Sequence, residues 1–402
     1  MRTRALCGVL LAALCGLLGC AETQSAEIDA DRWEVQAQAG DAQAQYRLAI
    51  HLIETQENAD DPRRAFEWLR KAADQGHPQA QTQLAFCYLK GIGVGADDEA
   101  ALRWYSVAAS NGDPRAQFNL GVLYRDGQIV PQDYAMAMRW FLQASEAGDG
   151  LAAVNLGALH RRGHGVPVDY EKAYEWFKLA ADRDEPLGQL NIGNLYMNGQ
   201  GVAQNDQQAA QWIRKAAEQG LAEAQSWLAV FYDHGRGVEE DQTKAAYWAK
   251  AAAEQGHVVS QKNLAKLYIR GEGVEKNNVE AMKWYRLAGL AGDAEAQLLM
   301  GLAYQEGSGV QKDALAAANW FFEAAKQGLA EAQYQVGLAY ARGVGGHLDL
   351  VEAYKWTHLA ANGGFPDARD LRRQLTEEMT PEAMREARRR AREWHEAAET
   401  AQ

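Results

Sequence analysis

Cysteine is nearly absent from the body of this chain. Four occur in 402 residues, and three of them, Cys7, Cys15 and Cys20, sit close to the N-terminus. Cys87 stands alone in the rest, so no disulfide can tie the folded part together. A basic surplus is missing too: Lys and Arg number 41 against 54 Asp and Glu, giving a net charge of −13 and a pI near 5.3. That balance argues against nucleic acid, which demands a basic face, and disfavours broad adhesion to anionic lipid heads. Long apolar runs are also lacking, since Leu6 to Leu18 is too short for a permanent membrane span.

What the chain has instead is a period. Trp68, Trp104, Trp140, Trp176, Trp212, Trp248, Trp284, Trp320 and Trp356 recur every 36 residues. Glycine keeps a second phase from Gly40 to Gly364, with Asp184 its one departure. A fixed period of this size is the signature of a solenoid. Within a unit the apolar spacing is helical. Ala116, Leu120, Gly121 and Tyr124 lie on one face of a first helix, which Gly127 stops because glycine accepts the left-handed conformation of a helix end. Thr55 alone breaks that glycine phase.

A second helix follows a loop that is commonly Gly-x-Gly-Val, as at Gly271 to Val274. Its expected N-caps are Asp61, Asp97, Asp133, Asp169, Asn205, Asp241, Asn277, Asp313 and Asp349, each contributing about 1 kcal/mol. Ala137, Trp140, Phe141 and Ala144 form its apolar stripe, and the two alanine phases hold in all nine units. Small residues there let helices approach, while the Trp is expected to fill the space between layers. One helix pair cannot bury its own stripe, so each unit depends on its neighbours.

The pattern A-Q-x-N-L-G-x-x-Y-x-x-G-x-G-V…D-x-x-x-A-x-x-W-x-x-x-A-A-x-x-G resembles the Sel1-like repeat, a relative of the tetratricopeptide repeat. The resemblance implies an all-α, right-handed α/α superhelical solenoid of nine 36-residue helix-turn-helix repeats with terminal capping helices. It also implies protein–protein contact, often as adaptor or assembly factor. A cysteine-rich subset of such proteins is linked to penicillin binding or hydrolysis. This chain lacks those cysteines, so that activity is not carried over.

The expected organisation is a lipoprotein signal peptide over 1–19, a tether over 20–30, an N-terminal cap over 31–39, nine repeats over 40–363, and a partial repeat with a C-terminal capping helix over 364–402. Arg2 and Arg4 precede the apolar core of the signal. Leu17-Leu18-Gly19-Cys20 resembles a bacterial lipobox, implying lipidation of Cys20; Ala21 after it favours the outer membrane by resemblance to enteric lipoproteins. Ordinary cleavage near Cys20 would instead leave a free periplasmic protein. Thr380-Pro381 opens the last helix, whose stripe of Met384, Ala387, Ala391 and Trp394 is expected to lie over the ninth unit.

Three features resemble chemistry and are better read as structure. His160 and His164 are four apart, but Gly163 ends the helix between them. Gly91 to Gly95 resembles a phosphate loop only in glycine count. Cys87 takes the phase of Leu123 and Leu159, a small buried hydrophobe with no His to activate it. The carboxylates fall at capping and solvent phases. No enzyme activity, cofactor, metal or nucleic acid is expected.

The surface that remains is the inner curve, which first helices line in tetratricopeptide-like arrays. Residues expected there are Tyr46, Phe86, Arg115, Phe118, Val122, Arg125 and Arg161, then Lys262 and Lys266 as a basic point, then Tyr334. An apolar groove with a few fixed charges suits an extended or helical peptide. The expected function is a non-enzymatic scaffold or adaptor of the cell envelope, held in the membrane only by its N-terminal lipid. A periplasmic regulator of a sensor kinase, or an envelope enzyme acting on peptidoglycan or β-lactams, are the alternatives.

Overall fold

The computed structural model describes residues 31–56, 58–346 and 348–400. The expected signal segment, the tether and Cys20 lie outside these residues. All regular structure among them is helical. Helix α1 (residues 31–38) precedes nine helix pairs. The pairs are α2 (Ala42–Thr55) and α3 (Asp61–Asp74), α4 (Pro78–Lys90) and α5 (Asp98–Ser110), α6 (Pro114–Asp126) and α7 (Tyr134–Glu146), α8 (Gly150–Arg162) and α9 (Tyr170–Asp182). Then come α10 (Pro186–Asn198) and α11 (Asp206–Glu218), α12 (Ala222–His234) and α13 (Gln242–Glu254), α14 (Val258–Arg270) and α15 (Asn278–Leu290). The last pairs are α16 (Ala294–Glu306) with α17 (Ala314–Lys326) and α18 (Ala330–Ala341) with α19 (Leu350–Asn362), followed by α20 (Ala368–Glu378) and α21 (Pro381–Thr400). The chain divides into two units, up to Gly188 and from Gln189 on. Within each, consecutive helices pack on one another as a solenoid. None of the described helices is long and apolar enough to cross a membrane.

Eight of the nine expected caps work as expected. Asp133, in extended backbone, accepts from Met136 N at 2.9 Å, and Asp97, Asp169, Asn205, Asp241, Asn277, Asp313 and Asp349 do the same for their helices. Asp61 is the correction. It is the first residue of α3 rather than its cap, and its carboxylate accepts from Asn58 N at 2.8 Å. The cause lies in the loop before it. Without the glycine pair, α2 runs on to Thr55 and Gln56 takes the left-handed turn at φ 44°, leaving fewer residues to reach an extended cap. Asp184 likewise keeps the left-handed turn of its missing glycine, at φ 61°.

Both alanine phases are buried throughout; Ala137 and Ala144 are wholly enclosed. The tryptophans need a correction. Only Trp356 is fully buried; the other eight are half-buried. The residue after each Trp goes deepest instead: Leu69, Tyr105, Phe141, Phe177 and Ile213 are closed off from solvent. The Trp leans sideways onto the preceding pair: a Cβ placed on Gly289 of α15 would lie 2.9 Å from the Trp320 ring of α17. Trp356 is sealed because α21 lays Trp394 on it, with ring centroids 4.9 Å apart. Ala387 and Ala391 of α21 are buried as expected, and Thr380 caps it, accepting from Ala383 N at 3.2 Å.

The loop glycines make room for backbone rather than for phosphate. A Cβ on Gly273 would sit 1.9 Å from the carbonyl oxygen of Gln242, at the start of the preceding unit's second helix. Only glycine permits that approach.

A buried glutamine joins successive pairs. Gln45, Gln81, Gln117, Gln225, Gln261, Gln297 and Gln333 each donate Nε2 to a carbonyl eight residues back, at the end of the preceding helix. In most units an amide from the next helix end completes the contact. Gln75, Gln219, Gln255 and Gln327 donate to Gln45, Gln189, Gln225 and Gln297, and Asn111 donates to Gln81, at 2.8–3.0 Å. Gln45 takes the carbonyl of Ala37, so α1 stands where the second helix of an earlier pair would. Ala153 replaces the glutamine in the fourth unit. There Arg183 fills in, reaching Ser145 Oγ and the Asp149 carbonyl, each at 3.3 Å.

Candidate functional site

One row of residues on the first helices stays only partly covered. On α6, Gly121 and Leu123 are buried against α7 while Val122 between them is only half-buried. Phe86 on α4 stands the same way between Ala85 and Cys87, and Ala158 on α8 between Gly157 and Leu159. Helical periodicity is the reason. The second helix covers the neighbours on either side, and the residue between them points away.

In the first unit Tyr46, Phe86, Arg115, Phe118, Val122, Arg125 and Arg161 all lie on first helices, as expected. Arg115 is exposed and close enough to Tyr46 to pull its phenol down, although burial, the larger effect, leaves it above its ordinary value. Tyr46 stacks on His77 at 5.0 Å between ring centroids. Burial lowers His77, which caps α4 by accepting from Ala80 N at 3.2 Å. Phe118 turns partly inward, its ring 5.8 Å from that of Phe141. Arg125 is held by both carboxylate oxygens of Asp126, at 2.7 and 2.9 Å, and by Asn155 of the next pair. Arg161 lies 5.8 Å over the Phe177 ring.

In the second unit the expected basic point is neutralised, a correction. Lys262 pairs with Asp293 at 3.0 Å and Glu295 at 2.8 Å, and Lys266 pairs with Glu295 at 3.1 Å. Desolvation opposes the charge on Lys262, but these bonds outweigh it and hold the ammonium above its usual range. They hold Glu295 below its own. Tyr334 packs on Phe365 at 5.0 Å. Tyr46, Lys262 and Tyr334 share one repeat phase, and each touches the start of the next first helix. That phase is partly a joint between repeats.

The other candidates are structural. Cys87 is buried and its thiol is pushed up to about 12 by desolvation, so it is no nucleophile. His160 is buried, and desolvation lowers it; His164, beyond the helix end, stacks on Tyr134 at 4.8 Å. Among the described residues no three His, Cys, Asp or Glu converge as metal ligands. The glutamine joint escaped the sequence reading, although Gln recurs at the Gln117 phase and an amide side chain stands at the Asn111 phase in five of nine repeats.

Nine consecutive segments match the Sel1 repeat: 42–77, 78–113, 114–149, 150–185, 186–221, 222–257, 258–293, 294–329 and 330–365. A Sel1 repeat protein from Oxalobacter formigenes is 35% identical, with a TM-score of 0.56, over 77% of this chain and 89% of that one. A protective antigen of uropathogenic Escherichia coli strains, displaying an SLR fold, is 28% identical over 91% of this chain and 94% of its own, with a TM-score of 0.45. Comparison with curated proteins returned no match. Proteins built from Sel1 repeats generally mediate protein–protein interaction. On the nine matched repeats and the likeness to the Oxalobacter protein, the chain belongs to the Sel1 repeat family.

Proposed function

We propose that this protein is a non-enzymatic scaffold or adaptor of the bacterial cell envelope, tethered by lipid at Cys20 and binding a protein or peptide segment along its first helices. The observation that carries the reading is the half-buried row of Phe86, Val122 and Ala158, which keeps some contact with solvent while its neighbours in the chain are buried. Arg115 and the held guanidinium of Arg125 flank this row, giving an apolar strip with charge at its edge. Such a strip suits side chains of an extended or helical segment, with each anchor residue carrying about 1–3 kcal/mol.

The test is crosslinking in whole cells, followed by mass spectrometry, on the unaltered protein and on Phe86→Asp and Val122→Asp variants of unchanged helical content. One envelope protein captured by the former and lost from both variants is the expected result. A partner retained by both variants contradicts the proposed face. Enzymatic turnover of nitrocefin or labelled peptidoglycan by purified protein would contradict the scaffold reading.

A further inference from the structure

The C-terminal cap carries a feature that the repeat array does not explain. Helices α19, α20 and α21 border an open cleft of about 590 Å³. Arg369, Arg372 and Arg373 line it from α20, Arg388 from α21, and Tyr354 and His358 from α19. Glu377 is the one acid in the lining. In a chain of net charge −13, four guanidinium groups around one cavity are a local reversal of sign.

Pairing sets these arginines apart from their neighbours. Away from the cleft, Arg385 pairs with Glu382 and Arg389 with Glu386 and Glu393 on the exposed side of α21, while Arg390 pairs with Glu386 and with Glu352 of α19, all at 2.6–2.9 Å. In the cleft, Arg373 alone has an acid, Asp370 at 3.1 Å. Among the described residues Arg369, Arg372 and Arg388 have no carboxylate within ion-pair distance. Two of the three are nonetheless positioned. Arg372 Nη1 lies 3.4 Å from His358 Nδ1, and Arg388 Nε donates to the Tyr354 hydroxyl at 3.3 Å. The Tyr354 and His358 rings are stacked 5.9 Å apart at 11°, so α19 braces both guanidinium groups through one aromatic pair. Each arginine spends one donor edge on that brace and keeps the remaining N–H groups for the cleft.

We propose that this cleft is an oxyanion site, taking a phosphate or phosphate-ester group on Arg369, Arg372 and Arg388. Guanidinium forks match phosphate oxygens in pairs, and one planar carboxylate would leave most of these donors unused. The site uses none of the residues of the first-helix row and is independent of the function proposed above.

Calorimetric titration of the full chain at fixed ionic strength tests this, using sodium phosphate, glycerol 3-phosphate and phosphatidylglycerol vesicles as probes. Saturable one-site binding of at least one probe is expected, weakened roughly tenfold or more in R372Q and in R388Q. R385Q, whose guanidinium is paired on the outer side of the same helix, should bind as the unaltered chain does. Thermal melts of the variants show that they are folded, and a phosphate-induced rise in melting temperature should appear in R385Q and vanish in R372Q. Soluble phosphate binding lost in R372Q identifies a free ligand; vesicle binding lost in R372Q identifies the same site with a headgroup as its source. No saturable binding of any probe, or binding that R372Q and R388Q leave intact, overturns the proposal.

Discussion

A Cβ placed on Gly121 would lie 2.6 Å from ring carbons Cδ1 and Cε1 of Phe141. The same relation joins Gly157 to Phe177 at 2.6 Å and Gly301 to Phe321 at 2.4 Å. The helix pair closes because the first helix gives up a side chain where the second inserts an aromatic ring. Gly121→Ala gains about 1 kcal/mol in helix propensity but overpacks a core, which costs about 1–3 kcal/mol. Net destabilisation is expected. A double-mutant cycle with Phe141→Leu should show coupling of about 1 kcal/mol in urea unfolding, since the smaller side chain relieves the clash. Additive single effects would contradict this contact.

The glutamine joint predicts a gain. Gln117 Oε1 and Gln261 Oε1 are buried without a donor, and in both cases the helix end that should supply one carries alanine, Ala147 and Ala291. Gln75, Gln255 and Gln327 occupy the equivalent positions with the same backbone conformation. Ala147→Gln and Ala291→Gln should each stabilise the fold by about 0.5–1.5 kcal/mol. Unchanged or lowered melting temperatures in both would show that the missing donor is not what these oxygens lack.

Much of this was legible in the chain and some was not. The period, the helix pairs, the alanine phases and eight of the nine caps follow from residues within one unit. Trp140 is the expected core residue, yet Phe141 beside it is the one enclosed. Periodicity places a stripe but does not say which of two adjacent large side chains sits at its centre. Asp61 failed as a cap because its loop is shorter. The basic point at Lys262 and Lys266 disappeared because Asp293 and Glu295 approach from the next first helix, about thirty residues away. Contacts between repeats do not show inside a single repeat. The Gln117 and Ala147 phases, compared side by side along the array, would have revealed the joint.

Acidification should loosen the array before the carboxylates held low by their partners titrate. His77, His160, His257 and His358 are all lowered from the ordinary 6.5, with desolvation the largest cause. A histidine lowered in the fold takes up its proton more readily when unfolded. Its contribution is therefore complete above pH 6.5 and is lost as pH falls below that value. Asp169, Asp241 and Glu295 are lowered from 3.8, 3.8 and 4.5, so their contributions begin to fade only near and below those values. The melting temperature should fall between pH 7 and pH 5. His77→Asn and His257→Asn keep a capping acceptor and should flatten that decline. An unchanged pH dependence in the double variant would remove these caps from the explanation.

The lipid reading makes its own prediction. Cys20→Ser should move the protein from the membrane pellet to the soluble periplasmic fraction, because the acyl chains are its expected hold on the bilayer. Partitioning that does not change on substitution would argue against that anchor.

The central claim is that a partner protein lies along the first helices. Site-specific photo-crosslinking in cells tests it most directly, with the photoreactive residue at Val122 on the first-helix face or at Arg139, exposed on the second helix of the same repeat. The account predicts a discrete crosslinked species from Val122 and none from Arg139. Crosslinking from Arg139 with none from Val122 would contradict it.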